Sequence, residues 1–130
     1  QQAKEATREE WRVWLTEPNI FGRRTIDAIL PGLDAWLERP WARTSFRTTQ
    51  VLTGHGCFGG YLHRIGRERD ARCHHCGANE DSAQHTLEVC PEWQAERRVL
   101  TNVVGQDLSL GAIVRAITKD QDKWSAFSSF

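Results

Sequence analysis

Residues 73–90 read CHHCGANEDSAQHTLEVC. Of the six Cys and His side chains in this stretch, four are spaced as a ligand set, Cys73-x2-Cys76-x8-His85-x4-Cys90. A Cys-x2-Cys turn brings two sulfurs onto one ion, and Gly77 permits the left-handed backbone that lets the chain turn away. His85 and Cys90 are five apart, close enough to meet one ion if the helical turn between them ends before Pro91. Three sulfurs and one nitrogen fill a tetrahedron, so the spacing predicts one structural Zn²⁺ with no position left open for water. The competing reading is a buried cysteine pair with an incidental histidine. A redox Cys-x-x-Cys would need a thioredoxin-like strand and helix context, which the surrounding sequence lacks. His74 and His75 are alternative nitrogen ligands, but residues inside a two-residue spacer point away from the metal; they are read as exposed side chains able to stack on a base.

Outward from this cluster the periodicity is helical. Upstream, Phe58, Tyr61, Leu62 and Ile65 recur at spacings of three and four, predicting a short helix that leads into the cysteines. Before it, Thr53-Gly54-His55-Gly56 reads as a tight, packed turn closing a helix that Thr44 or Ser45 caps and Phe46, Val51 and Leu52 anchor. Further back, Ile26, Ile29, Leu30, Leu33, Trp36 and Leu37 form one stripe, broken at Pro31 into a kinked helix or two short ones. Thr7-Arg8-Glu9-Glu10 reads as a capping box opening a helix that carries Trp11, Trp14 and Leu15 and stops near Pro18. Downstream, Pro91 suits a first helical turn, Trp93, Leu100, Val103 and Val104 continue that helix, and Gly105 ends it. Asp107 or Ser109 caps a helix with Leu110, Ile113, Val114 and Ile117; Trp124 and Phe127 mark a last short one. No strand alternation is present. The expected fold is mainly α: a helical platform over 1–66, a zinc knuckle over 67–92, and C-terminal helices over 93–130 that pack on the platform. The six tryptophans are read as core and inter-helix anchors.

Composition narrows the function. At 130 residues one domain is expected, and no run approaches the ~20 apolar residues of a membrane span. The start is polar and has no signal-peptide core, and there is no Met at all, which suggests a piece of a longer protein. Seventeen basic and seventeen acidic side chains cancel, but unevenly: residues 1–38 sum to −2, 39–72 to +5 and 73–130 to −3. The middle third is a basic island of Arg39, Arg43, Arg47, Arg64, Arg67, Arg69 and Arg72. Arginine's planar fork suits phosphate and base edges. Two other readings stand beside that one: a solvated face, or neutralisation of a thiolate-metal site whose charge would be −1. Cys57 lies outside the cluster and is read as a small core residue.

Three segments, FRTTQVLTGHGCFGGYLHRIG (46–66), CHHCG (73–77) and EDSAQHTLEVCPEW (80–93) followed by Glu96 and Arg97 after a short gap, resemble the region downstream of the reverse transcriptase in open reading frame 2 of non-LTR, LINE-type retrotransposons. The likeness is closest to site-specific elements that insert into ribosomal RNA genes or telomeric repeats. Phe46, Arg47, Thr53 to Gly56, Tyr61, Leu62, Cys73, Cys76, His85, Cys90, Pro91 and Trp93 carry it.

The resemblance implies a non-catalytic module of a nuclear polyprotein, assembled in the cytoplasm, whose upstream domains cut DNA and copy element RNA by target-primed reverse transcription. Its expected partners are element RNA, target DNA or both, and the reverse transcriptase domain of the same polyprotein, with no membrane and no small-molecule substrate. Arg43, Arg47, Arg64, Arg67, Arg69, Arg72, His74 and His75 are the candidate nucleic-acid contacts. A structural alternative has the helices dock on the polymerase thumb or another protein, with zinc only stiffening the joint. A nuclease of the His-Asn-His kind is disfavoured because His55 and His63 lack an accompanying carboxylate or Asn constellation.

Overall fold

A computed structural model describes residues 2–41 and 45–130 and, among these, contains helices and no strands. In chain order they are α1 (Gln2–Leu15), α2 (Arg23–Ile29), α3 (Leu33–Glu38), α4 (Phe46–Thr53), α5 (Gly59–Arg64), α6 (Ala83–Glu88), α7 (Gln94–Val104), α8 (Leu110–Ile117) and α9 (Gln121–Ser129). The fold is mainly α, as the periodicity predicts. Arg43 and Thr44 lie outside the described residues, as does the side chain of Phe46.

The breaks between helices follow local chemistry. Pro31 has no N–H to donate, and the chain passes from α2 to α3 through a 3₁₀ turn at Leu30–Gly32. Ser45 caps α4, its hydroxyl accepting the Thr48 N–H at 3.0 Å, and Gly54 ends that helix in the left-handed region at φ 75°. Pro91 opens a second 3₁₀ turn, Pro91–Trp93, that feeds α7. Before α8, Ser109 occupies the cap position without a side-chain bond; Asp107 instead accepts the Ser109 N–H at 3.0 Å, which holds its carboxyl below the usual range.

The core is centred on α8, where Ile113, Val114 and Ile117 are buried, each worth about 1.5–3 kcal/mol of transfer free energy. Around them pack Ala28 of α2, Val51 and Leu52 of α4, Leu87 of α6, Leu100 of α7, and Trp124 and Phe127 of α9. The knuckle region therefore shares one core with the helices on either side of it. Trp41 donates its indole N–H to the Ile117 carbonyl, 3.2 Å, and the rings of Trp36 and Trp124 meet at 5.8 Å.

Three expectations need correction. The helix carrying Trp11 begins at Gln2, so the Thr7 box does not cap it; Thr7 lies inside and its hydroxyl donates to the Ala3 carbonyl at 2.9 Å. Ala3, Lys4, Glu5 and Ala6 are good helix formers and extend the helix past the box. Trp11 and Trp14 are not core anchors: they are 53% and 57% exposed, and α1 has no buried residue. Cys57 is exposed rather than a core residue, with its Sγ 3.8 Å from an Arg47 nitrogen.

Candidate metal centre and the basic surface beside it

The ligand loop is built by backbone hydrogen bonds. The Cys73 N–H donates to the Ala78 carbonyl and the Gly77 N–H to the Cys73 carbonyl, both at 2.9 Å, while Gly77 takes φ 78°. This reverses the chain between Cys73 and Cys76. The Asp81 N–H then donates to the Ala71 carbonyl at 2.7 Å, tying the loop's outgoing arm to its incoming one. Ser82 caps α6 by accepting the His85 N–H at 3.0 Å, which places His85 in the helix's first turn. At the other end the Val89 and Cys90 N–H groups both donate to the His85 carbonyl, so Cys90 is folded back toward the His85 ring just before Pro91.

The result brings Cys73, Cys76, His85 and Cys90 together, their ligand atoms all within 4.8 Å of one another. Cys73 Sγ to Cys90 Sγ is 3.9 Å, and Cys76 Sγ to His85 Nε2 is 3.3 Å. A tetrahedron with metal–sulfur bonds of about 2.3 Å and metal–nitrogen bonds of about 2.0 Å has edges of roughly 3.8 and 3.5 Å. The measured separations fit a metal site of that size. Cys73 and Cys90 form its buried side and Cys76 and His85 its half-exposed side. The backbone N–H of Ala78 pulls the Cys76 thiol below its usual range, whereas burial pushes the Cys90 thiol up to about 11. His74 and His75 stand outside the ligand set and are exposed: His74 Nε2 lies 3.6 Å from Glu68, and His75 meets the edge of Trp93 at 5.7 Å.

Four further residues, Asp81, Gly59, Gly60 and Arg97, hold this site, and the ligand spacing gives none of them a role in it. The Asp81 side chain is 6% exposed and accepts the Gly59 N–H at 2.8 Å, while its carbonyl accepts the Gly60 N–H at 2.9 Å. A Cβ on Gly59 would stand 2.2 Å from the Arg72 carbonyl, and one on Gly60 would stand 2.4 Å from the Asp81 carbonyl. Only glycine lets α5 approach the knuckle backbone this closely. Arg97, from α7, donates to the carbonyls of Leu87, Thr86 and Cys90 at 2.7, 2.9 and 2.7 Å. Thr86 and Leu87 are in the last turn of α6, whose carbonyls have no partner further along the helix, and the Cys90 carbonyl, just beyond it, also accepts the Trp93 N–H at 3.1 Å. The paired glycines were legible as a signal of close approach, but Arg97 looks in sequence like any other charge on a helix face.

The basic island divides. Arg39 lies over the rings of Trp36 and Trp124, at 4.0 and 4.8 Å, and Arg47 lies 4.3 Å over Trp93; both are half-buried. Arg64, Arg67, Arg69 and Arg72 are all exposed on the stretch joining α5 to Cys73. Among the described residues no carboxylate lies within 4.0 Å of any of these four guanidinium groups, nor is one of them against a ligand sulfur. His63 is exposed at the end of α5, its Nδ1 3.2 Å from the Glu68 carbonyl.

Comparison with known proteins places this arrangement in context. A Pol polyprotein of the type-1 retrotransposable element R1 4 of Nasonia vitripennis is 28% identical over 127 residues, which is 97% of this chain and 32% of that protein. The homologues of this chain are retrotransposon polyproteins. A second, from the R1 element of Bradysia coprophila, is 34% identical over 73 residues, 56% of this chain and 7% of that protein. A 115 kDa protein of the type-1 element R1DM of Drosophila melanogaster is 34% identical over 86 residues, 66% of this chain and 8% of that protein. The chain thus spans about a third of the first retrotransposon polyprotein and less than a tenth of the other two. No family model and no solved structure matches it. Among the described residues no helix is long and apolar enough to cross a membrane.

Proposed function

We propose that this chain is an accessory, non-catalytic zinc-knuckle module of a retrotransposon polyprotein that binds element RNA, target DNA or both during target-primed reverse transcription in the nucleus. The observation that carries the reading is the unpaired, exposed set Arg64, Arg67, Arg69 and Arg72 beside the ligand cluster. Arginines left without carboxylates keep their full charge and donor capacity for phosphate. Three sulfurs and one imidazole suit Zn²⁺ over hard cations, and with four protein ligands the ion stiffens the fold and leaves no site for a reacting water. The homology to polyproteins supports the element context. Anisotropy titration of the chain with labelled RNA and DNA over a range of salt tests the reading. Binding should weaken steeply with salt, and changing the four arginines to Gln should flatten the slope by about 3 at roughly 0.7–0.9 per phosphate contact. Binding that is unchanged by the four substitutions would refute it.

A second reading is favoured by α1. Trp11, Val13 and Trp14 are exposed, Phe21 is 96% exposed, and a cleft of about 410 Å³ lies between Ala3, Thr7, Trp11 and Leu37. Exposed aromatic surface of this kind marks a docking face, and the occupant in this reading is the reverse transcriptase domain of the same polyprotein. Polymerase-domain affinity that survives Trp11→Ser with Trp14→Ser would exclude it.

A further inference from the structure

The TGHG turn and α5 together present a feature that the phosphate reading does not use. His55 lies on the face of Tyr61, with ring centroids 4.5 Å apart and planes inclined by 20°. His55 is exposed and Tyr61 half-buried, packed against the core, so the core fixes the inner ring and the stack ends in solvent. The turn that sets this geometry needs glycine on both sides: Gly54 has φ 75° and Gly56 has φ 129°, and a Cβ on Gly56 would stand 2.5 Å from the Gln50 side chain.

Beside the stack is a cleft of about 330 Å³ lined by Arg24, Gly54, Tyr61, Arg64 and Asp81, among others. Of its two cations Arg64 is exposed and Arg24 half-buried, and its acid is buried. Arg64 lies 5.5 Å over the Tyr61 ring and is exposed, and among the described residues neither it nor Arg24 has a carboxylate within 4.0 Å. Arg24 is anchored by donating to the Val51 carbonyl and to Gln84. Asp81, in contrast, holds the Gly59 N–H with one oxygen, and its other oxygen is sealed from solvent.

We propose that the His55–Tyr61 stack is a platform for one unpaired base of a single-stranded nucleic acid, with the adjoining phosphate held at Arg64 and Arg24. The inference rests on the nucleic-acid reading above and narrows it from any strand to an unpaired one. A flat ring with an open face accepts any unstacked base, whereas a duplex keeps its base faces covered. A neighbouring cation without an acidic partner is what the strand's backbone requires.

The test uses the 130-residue chain, single-stranded RNA and DNA 12-mers, and duplexes of the same sequences. His55→Ala should weaken both single strands by about fivefold or more and leave the duplexes unchanged. His55→Phe, which restores a flat ring, should return the single-strand affinity, separating stacking from loss of the turn. RNA alone responding would assign the platform to the element transcript, and DNA alone to an opened target strand; either supports the proposal. Single-strand affinity unchanged by His55→Ala, or a wild-type chain that binds duplex only, overturns the platform and leaves the arginine reading standing. A wild-type chain that binds neither form overturns both.

Discussion

Arg8, Arg12 and Arg23, on α1 and α2, and Arg64, Arg67, Arg69 and Arg72, from the end of α5 to the ligand cluster, are the same side chain in opposite surroundings. Each of the first three has an acid: Arg8 reaches Glu38 at 2.7 Å and Asp34 at 3.5 Å, Arg12 reaches Asp34 at 3.1 Å and Glu9 at 3.2 Å, and Arg23 bonds Asp27. Among the described residues none of the four beside the knuckle has an acid within 4.0 Å. The difference teaches that net charge is a poor guide to what a basic side chain is free to do. Overall zero charge hides a set of arginines already neutralised in place and another that is not. The same two regions differ in their apolar surface: α1 leaves its tryptophans in solvent, whereas the knuckle helices give Leu87 and Leu100 to the core.

The largest test of this contrast is the metal. Stripping the proposed Zn²⁺ with a chelator should cost on the order of 10 kcal/mol and unfold the knuckle, and replacing Cys90 by Ser, which removes one of four candidate ligands, should act in the same direction. Hydrogen exchange read by mass spectrometry should then show residues 71–97 losing protection first. Protection that is indifferent to chelator would mean the ligand cluster does not hold the fold. Next in size is binding, where the four knuckle-side arginines changed together to Gln should lose most of the salt-dependent affinity. Changing Arg97 to Ala removes a charged donor from three carbonyls and should cost about 2 kcal/mol in denaturant unfolding, with binding lost only as folding is lost. The smallest effect belongs to the paired set. Arg8, Arg12 and Arg23 changed to Gln should leave nucleic-acid affinity and its salt slope as they were and lower the melting temperature only slightly, since exposed pairs contribute little. Equal losses of affinity from the two sets of substitutions would erase the distinction between them.

The ligand set was legible because metal chemistry is a matter of residue type and short spacing: Cys73, Cys76, His85 and Cys90 lie within one turn-and-helix segment. The breaks at Pro31, Gly54 and Pro91 were legible for a similar reason, since each follows from a local backbone restriction. Thr7 was misread because a capping box competes with the propensity of the residues before it, and Gln2 to Ala6 extend the helix. Cys57 and the tryptophans of α1 were misread because burial is not local; an aromatic at helical spacing has a core-facing appearance whether or not a core lies beside it.

What the sequence determined by itself was the helical class, the places where helices stop, and the identity of four candidate ligands, because each is set by interactions within a few residues. Arg23–Asp27 and Arg12–Glu9 are four and three apart, each pair within one helix, but the rest of which charges are free was decided by the tertiary structure. Arg8 meets Glu38 across 30 positions, Arg97 reaches back to α6, and His55 finds Tyr61 only because the glycine turn folds onto α5. Such pairings join separate elements, so they depend on how the core packs one helix or turn against another.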